Sequence, residues 1–86
     1  MLTNATNNYR IEHYATLPDM AREIRIEVFV KEQGFLEEFD MIDGTSTHFL
    51  VFDGKRTVAT CRVFQAESAG SYILGRLAVR KEYNVE

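Results

Sequence analysis

Between residues 16 and 35 the apolar positions have the period of a helix. Apolar residues recur there at steps that place them on one stripe at ~100° per residue. They are Leu17, Met20, Ala21, Ile24, Val28 and Phe35. The stretch EVFVKEQG at 27–34 has three β-branched or aromatic residues in a row, which favours a strand, but a strand would divide the stripe between two faces. We therefore predict one helix, capped by Thr16 and closed by Gly34.

A second stripe flanks the predicted core face of this helix. Arg25, Phe29 and Glu32 fall on it, and Ile26 and Val30 lie behind it. The spacing of Arg25 and Glu32 is about two helical turns, so both side chains are expected on the same side. Apolar groups on two sides imply that the helix is covered by more structure than a single sheet face.

Three further segments have the composition of strands. Residues 9–14 (YRIEHY) alternate well enough for a short first strand. Residues 47–66 contain two β-rich runs joined by Asp53-Gly54, a dipeptide that tolerates the positive φ of a tight hairpin turn. Residues 72–79 (YILGRLAV) form another run. The predicted order is β-α-β-β-β, an α/β (α+β) fold with a mainly antiparallel sheet.

The last predicted strand, 72–79, is apolar almost throughout. Such a strand suits a position buried on both faces of a sheet. Residues 80–86 contain no pattern for an element that would cover it, so we expect an open hydrophobic edge, which natural domains avoid. The sequence therefore predicts a homodimer, or another association through this strand.

Composition argues against several classes of function. The net charge is −3 and the basic residues are scattered, so no basic stripe can neutralise a nucleic-acid backbone. No apolar run approaches the ~20 residues that span a bilayer. We expect neither a nucleic acid nor a membrane as a partner. Cys61 is the single cysteine, and no metal-ligand spacing surrounds it. We expect a cytoplasmic protein with a disordered lead over residues 1–8.

Two acidic residues precede the hairpin, and an arginine lies within it. Asp40 and Asp43 in FDMIDG, with Arg62 in TCRV, can organise a pocket from a loop carboxylate and a strand guanidinium. The alternative is a turn whose aspartates pair with a buried arginine for structure, an arrangement that is costly to break. His48 and His13 are candidate general bases, although most single histidines do no chemistry.

The chain resembles a known family over most of its length. IRIEVFVKEQGFLEEFDMIDGTSTHFLVFDGKRTVATCRVF, followed by LGRLAVRKEY, is similar to the N-terminal half of the Gcn5-related N-acetyltransferases (GNAT), in the subgroup whose first helix reads R-x-x-V-F-V-x-E-Q. The resemblance implies a partial acyl-CoA N-acyltransferase domain over residues 9–86, with the order β-α-α-β-β-β and a short second helix at Leu36 to Phe39. By alignment, Asn84 opens the family's pyrophosphate loop, whose glycines, central helix and C-terminal strands are not in this sequence.

The resemblance implies transfer of acetyl from acetyl-CoA, as co-substrate, to an amine of a small molecule or peptide, with no metal. In this family the fourth strand, here Leu77, Ala78 and Val79, offers main-chain groups to the pantetheine arm, and an N–H near it polarises the thioester carbonyl. A loop of backbone amides at a helix N-terminus binds the pyrophosphate. Without that loop, we expect this 86-residue chain not to turn over acetyl-CoA.

The same resemblance implies roles for side chains. Glu32 and Asp43 are candidate bases, because burial beside other charges can shift either pKa towards a useful value. The candidate substrate-binding residues are Arg25, Phe29, Arg62 and Arg76. Two alternatives stay open. An acyl-homoserine-lactone synthase has a related fold with a similar acidic pair and arginine, although the tryptophans typical of its pocket are lacking. A truncated, non-catalytic module would instead pair through its open strand edge.

Overall fold

The computed structural model describes residues 9–34, 40–68 and 70–83 as a small α+β domain. Its antiparallel sheet has the order β1-β2-β3-β4, and helical segments lie between β1 and β2. The strands are β1 (Tyr9–Tyr14), β2 (Thr47–Asp53), β3 (Arg56–Gln65) and β4 (Tyr72–Val79). The helical elements are α1 (Asp19–Arg25), a π-helical segment (Ile26–Glu32) and two 3₁₀ helices (Met41–Thr45 and Lys81–Tyr83). The predicted β-α-β-β-β order is confirmed for the described residues.

Several predictions lie outside the described residues. They are the disordered lead over 1–8, the core position of Phe35, the second helix at Leu36 to Phe39 and the loop position of Asn84. None of the described helices is long and apolar enough to cross a membrane.

The helix begins later than the sequence predicted. Pro18, in extended conformation (φ −75°, ψ 154°), occupies the N-cap position of α1 without a side-chain cap bond. Its carbonyl oxygen accepts hydrogen bonds from the N–H groups of Ala21 and Arg22, each at 3.1 Å. The predicted cap at Thr16 is therefore wrong, because the proline carbonyl closes the first turn two residues further along the chain.

After Arg25 the helix widens into the π-helical segment. Hydrogen bonds of the i→i+5 type wind the chain more loosely than an α-helix does, so side-chain positions drift away from the α-helical wheel. Arg25 is buried and Phe29 packs partly buried against the core, whereas Glu32 is exposed. Glu32 therefore does not share the burial of Arg25 and Phe29.

The core forms where the helix packs on one face of the sheet. Ala21, Ile24 and Val28 contact sheet residues, with Tyr14, Leu17 and Phe29 packed partly buried beside them. The sheet residues of this cluster are Leu50, Phe52 and Ala78. Met20, predicted to join the core stripe, is 38% exposed, so that prediction is wrong. The helical interpretation of EVFVKEQG is confirmed for residues 27–32, which belong to the π-helical segment, and Val28 is buried within it.

The predicted hairpin is present, with its turn one residue later than expected. Asp53 pairs with Arg56 at the end of the ladder, so the two loop residues are Gly54 and Lys55. Gly54 has a φ of 63°, which suits the glycine-first arrangement of a type II′ turn.

Strand β4 is an edge strand within the described part of the chain. It pairs with β3 on one side, and no described strand pairs with its other side. Large side chains at Tyr72, Ile73, Leu74 and Leu77 are exposed. The open hydrophobic edge that the sequence predicted is therefore present in the described residues.

Candidate functional site

Asp40 and Asp43 are fixed by the short 3₁₀ helix that leads into β2. The Asp40 side chain accepts a hydrogen bond from the N–H of Ile42 at 3.1 Å, and the Asp43 carboxylate accepts one from the N–H of Asp40 at 3.3 Å. This reciprocal capping box satisfies donors at the helix start. The ring Nε2 of His48 donates to the carbonyl oxygen of Asp43 at 2.9 Å. The loop therefore holds both carboxylates in fixed directions.

Arg25 reaches Asp43 from the helix. Its Nη1 and Nη2 donate to Oδ1 and Oδ2 of Asp43 at 2.8 Å and 3.0 Å. The Arg25 side chain is 1% exposed, and such a two-point contact of guanidinium with carboxylate is geometrically specific. A buried charge of this kind needs its partner, because an unpaired one is strongly unfavourable.

Arg62 of β3 connects the two carboxylates. Its Nη1 donates to Asp40 Oδ1 at 2.6 Å and to Asp43 Oδ1 at 3.0 Å, and its Nη2 donates to Asp40 Oδ2 at 3.2 Å. Arg76 of β4 adds a contact from its Nη2 to Asp40 Oδ2 at 3.2 Å. We call Arg25, Asp40, Asp43, Arg62 and Arg76 the aspartate–arginine cluster. It joins the helix, the loop before β2 and two strands.

One buried donor of this cluster lacks a hydrogen-bond partner among the described residues. It is Nε of Arg62, whose side chain is 4% exposed. Gly75 of β4 is paired with Arg62 across the ladder, and a Cβ at Gly75 would lie 4.0 Å from this nitrogen. The space beside Nε is therefore next to a position without a side chain.

The arginines keep both carboxylates ionised. Hydrogen bonding to Arg62 is the main cause that lowers the pKa of Asp40. For Asp43, burial alone would raise the pKa, but hydrogen bonds from Arg25 and Arg62 outweigh it and lower the pKa to about 2. The two aspartates in turn raise the pKa of Arg62 against the effect of its burial. With three guanidinium groups and two carboxylates, the cluster carries a net positive charge at neutral pH.

Strand β4 has a β-bulge beside the cluster. Arg62 pairs with Gly75 and Thr60 pairs with Ala78, so Cys61 alone faces both Arg76 and Leu77. Arg76 has a φ of 50°, which is uncommon for a residue other than glycine. Bulges redirect side chains and interrupt pairing, and they are over-represented next to active sites. Here the bulge lies between the aspartate–arginine cluster and Leu77 to Val79.

Beyond the bulge, the main-chain N–H and C=O groups of one β4 residue face the open edge of the sheet, away from β3. The N–H of Arg80 donates to the carbonyl oxygen of Val58 at 2.8 Å, so this pair faces inward. Because the direction of main-chain groups alternates along an antiparallel strand, the N–H and C=O of Val79 face the outer edge. Ala78 is buried against the helix, whereas Leu77 is exposed.

A cavity of about 340 Å³ opens beside the acidic loop. Charged groups of both signs line it: the carboxylates of Asp40 and Asp43, and the guanidinium of Arg22. The remaining lining residues are Ala15, Thr16, Leu17 and Gly44. The Asp40 side chain is 39% exposed and is thereby accessible to a ligand, while its contact with Arg76 brings the cavity close to the β4 bulge.

The structure brings most of the predicted site residues close together, but not all of them. Arg25, Asp43, Arg62 and Arg76 meet in one cluster, and Leu77, Ala78 and Val79 follow it on β4. Phe29 packs against the core instead, and Glu32 is exposed outside the hydrogen bonds of the cluster. The lowered pKa of Asp43 is opposite to the shift that we expected for a base. The structural interpretation of the aspartates and Arg62 is supported by their capping and pairing.

The remaining candidates are two histidines and the cysteine. His48 is buried with its Nε2 bonded to a backbone carbonyl. His13 is exposed, and its ring lies 6.0 Å from that of Phe49. Cys61 is a free, half-buried thiol whose pKa is raised by burial, the opposite of an activated nucleophile. No group of three or more metal-ligating side chains occurs in the described ranges.

Sequence reasoning missed the bulge, the link from Arg76 to Asp40 and the part of Arg22 in the cavity. A signal for the bulge was present, because an isolated glycine inside a strand pattern, here Gly75, often marks one. Nothing in the local pattern pointed to Arg22.

In comparisons with known proteins, no protein-family model and no curated protein sequence matched this chain.

Proposed function

We propose that this domain belongs to an acyl-CoA N-acyltransferase that transfers acetyl from acetyl-CoA to an amine. The observation that supports the proposal most is the β4 bulge at Arg76 and Leu77. It turns Arg76 towards Asp40 at the cavity and interrupts pairing directly before the outward-facing main chain of Val79. In this proposal, the bulge would bring a cofactor-binding edge and an acceptor pocket together.

The outer edge of β4 beyond the bulge would bind the pantetheine arm as an added strand binds a sheet edge. The outward N–H and C=O of Val79 would pair with an amide of the arm, and an N–H at the bulge would donate to the thioester oxygen. Such a fixed donor stabilises developing negative charge, and loss of one costs about 10²–10³ in rate in well-studied cases.

The chemistry needs no covalent enzyme intermediate. A neutral acceptor amine attacks the thioester carbon, the N–C bond forms, and the C–S bond then breaks. The amine loses one proton, and the departing thiolate takes one up. Asp43 is unsuited to the base role, because its pKa of about 2 and its arginine partners disfavour proton uptake. We therefore assign proton removal to water.

The acceptor pocket in this proposal is the cavity beside Asp40. Its accessible carboxylate can accept a hydrogen bond from the N–H of a neutral amine, and Arg76 links it to the β4 bulge. Arg25 is too deeply buried to contact a ligand in this conformation. Its contribution is to position Asp43, and Arg62 contributes by positioning both aspartates. The acceptor class is a small molecule or peptide with a primary amine.

Acetyl-pantetheine tests the edge directly, because it contains the thioester and the arm without the phosphates. No Gly-x-Gly motif occurs in the 86 residues, so binding is the decisive measurement. In a ¹⁵N-labelled sample, the ligand is expected to shift the amide signals of Leu77, Ala78 and Val79. Unmoved signals at these three residues with millimolar ligand would overturn the proposal.

Two proline variants provide matched perturbations. Val79→Pro removes an outward N–H beyond the bulge, and Tyr72→Pro removes one before it. The fold tolerates such changes at an edge strand because the β3–β4 ladder does not use either N–H. We expect Val79→Pro to weaken acetyl-pantetheine binding about tenfold, the effect of a lost hydrogen bond of ~1.4 kcal/mol, and Tyr72→Pro to leave it unchanged. Circular dichroism checks that both variants fold. Equal loss in the two variants would contradict the assignment.

Turnover is a separate measurement. We expect no thiol release from acetyl-CoA above a protein-free blank with a polyamine and amino-acid panel, since the 86 residues contain no Gly-x-Gly loop that could bind the pyrophosphate. Release above the blank would support acyl transfer and overturn only the expectation of inactivity.

A further inference from the structure

The part of β4 before the bulge, Tyr72 to Gly75, forms a second kind of edge. Its large side chains Tyr72, Ile73 and Leu74 are 69%, 46% and 59% exposed, and the four residues carry no charge. Natural edge strands are usually protected by charge, proline or a bulge within the exposed stretch. An uncharged, unprotected edge of this kind is suited to pairing with another strand.

The hydrogen-bonding pattern between β3 and β4 determines which main-chain groups of β4 are left to pair with another strand. The N–H of Ala66 donates to the carbonyl oxygen of Ser71 at 2.9 Å, and this pair continues the register in which Gln65 faces Tyr72 and Val63 faces Leu74. Because inward and outward groups alternate, the main-chain N–H and C=O of Tyr72 and Leu74 point outward. Those of Ile73, between them, point inward to β3.

This arrangement is self-complementary. A two-fold axis at Ile73 places Tyr72 of one copy opposite Leu74 of the other, and each such pair exchanges two main-chain hydrogen bonds. It also stacks an aromatic ring on a leucine across the strands, a favourable cross-strand pair. An axis at Tyr72 or Leu74 would instead bring the turn at Gly70 or the bulge at Arg76 into the ladder. Of these three axes, only the axis at Ile73 lets the outward N–H and C=O groups of both Tyr72 and Leu74 form hydrogen bonds.

We propose that two copies of this chain pair through Tyr72 to Gly75 in antiparallel register about Ile73, extending one continuous sheet across both. The proposal does not rest on the proposed acyltransferase function, because that function uses β4 beyond the bulge. The bulge ends the dimer ladder and leaves Leu77 to Val79 accessible in each copy. The helices of the two copies lie on the same face, since this axis is perpendicular to the sheet.

Disulfide trapping tests the register. In a Cys61→Ala background, Ile73→Cys places two thiols at a non-hydrogen-bonded pair with Cα atoms about 4.5 Å apart, within disulfide range. Leu74→Cys is the matched control, because its symmetry mate lies two residues further along the strand, beyond about 7 Å. We expect a disulfide-linked dimer from Ile73→Cys under mild oxidation and none from Leu74→Cys. Cross-linking of both variants, or of Leu74→Cys alone, would overturn the register.

Light scattering tests the association without cysteines. The wild-type chain is expected at twice its 9.9 kDa mass, and Leu74→Lys is expected to be a monomer, because a charge on this face opposes pairing. Ile11→Lys is the control, since Ile11 is 68% exposed on β1 at the other edge of the sheet, and it should leave the dimer intact. A wild-type monomer would overturn the proposal and would mean that this edge pairs with a strand of a different protein. A dimer that persists in Leu74→Lys would also overturn it.

Discussion

Replacing Asp43 by asparagine removes the central charge of the aspartate–arginine cluster while keeping the shape of the side chain. In the folded protein, Asp43 accepts hydrogen bonds from Arg25, Arg62 and the N–H of Asp40. The amide of asparagine has one acceptor oxygen, and its NH₂ group would face donors. Arg25, 1% exposed, would then lose its two-point contact with a carboxylate.

Two independent arguments give the magnitude. Lowering the pKa of Asp43 from 3.8 to about 2 corresponds to roughly 2 kcal/mol in favour of the carboxylate, because a pKa difference of one is worth about 1.4 kcal/mol. Removal of one partner from a buried ion pair costs about 3–5 kcal/mol. Asparagine keeps one acceptor, so we expect Asp43→Asn to lower the free energy of unfolding by ~2–4 kcal/mol, a large fraction of the ~5–15 kcal/mol of a typical domain.

Urea unfolding at pH 7, followed by far-ultraviolet circular dichroism, measures this difference. Glu23→Gln is the matched control, because it neutralises an exposed carboxylate on α1, and its effect is expected within about 0.5 kcal/mol. An Asp43→Asn variant as stable as the Glu23→Gln variant would refute the reasoning. It would mean that the buried arginines are satisfied without Asp43.

Two further predictions concern the same cluster. Because the folded pKa of Asp43 lies below its unfolded value, its contribution to stability is complete above about pH 4 and is lost as the pH falls through about 2. Thermal melts at pH 5, 3 and 2 measure this loss of stability. The melting temperature of Asp43→Asn should depend much less on pH over this range. An equal pH dependence in both proteins would contradict the assignment. Gly75→Ser should be more stable than Gly75→Ala by about 1 kcal/mol, because a hydroxyl on a Cβ 4.0 Å from Nε of Arg62 can accept its unpaired hydrogen. Equal urea midpoints for these two variants would exclude that hydrogen bond.

Local patterns in the sequence predicted the strands well and the helix only in part. The bounds of β1 and β4 agree with the alternating and apolar runs, because these signals are local. The start of α1 differed, since Thr16 is a good cap by type but the extended Pro18 closes the first turn. The π-helical segment was not predictable from an α-helical wheel, which assumes constant winding.

The site was predicted as a set of residue types but not as a geometry. Asp40, Asp43 and Arg62 were recognised together because loop carboxylates near a strand arginine are chemically complementary. Their link to Arg76 depends on a bulge and a positive φ, which few residues other than glycine adopt. Pairings between residues far apart in sequence leave no periodic trace, so the meeting of helix, loop and two strands required the structure.

The aspartate–arginine cluster also bears on how the chain folds and unfolds. Its hydrogen bonds join residues 18, 19, 22 and 36 positions apart, and contacts of such separation form only after long loops have closed. Charges gain strength from burial only when water has left, so we expect the cluster to assemble after the β2–β3 hairpin and the helix have docked. Interactions absent from the folding transition state act on the unfolding rate. In this protein the buried charges are therefore expected to determine how long a folded molecule persists, more than how quickly it forms.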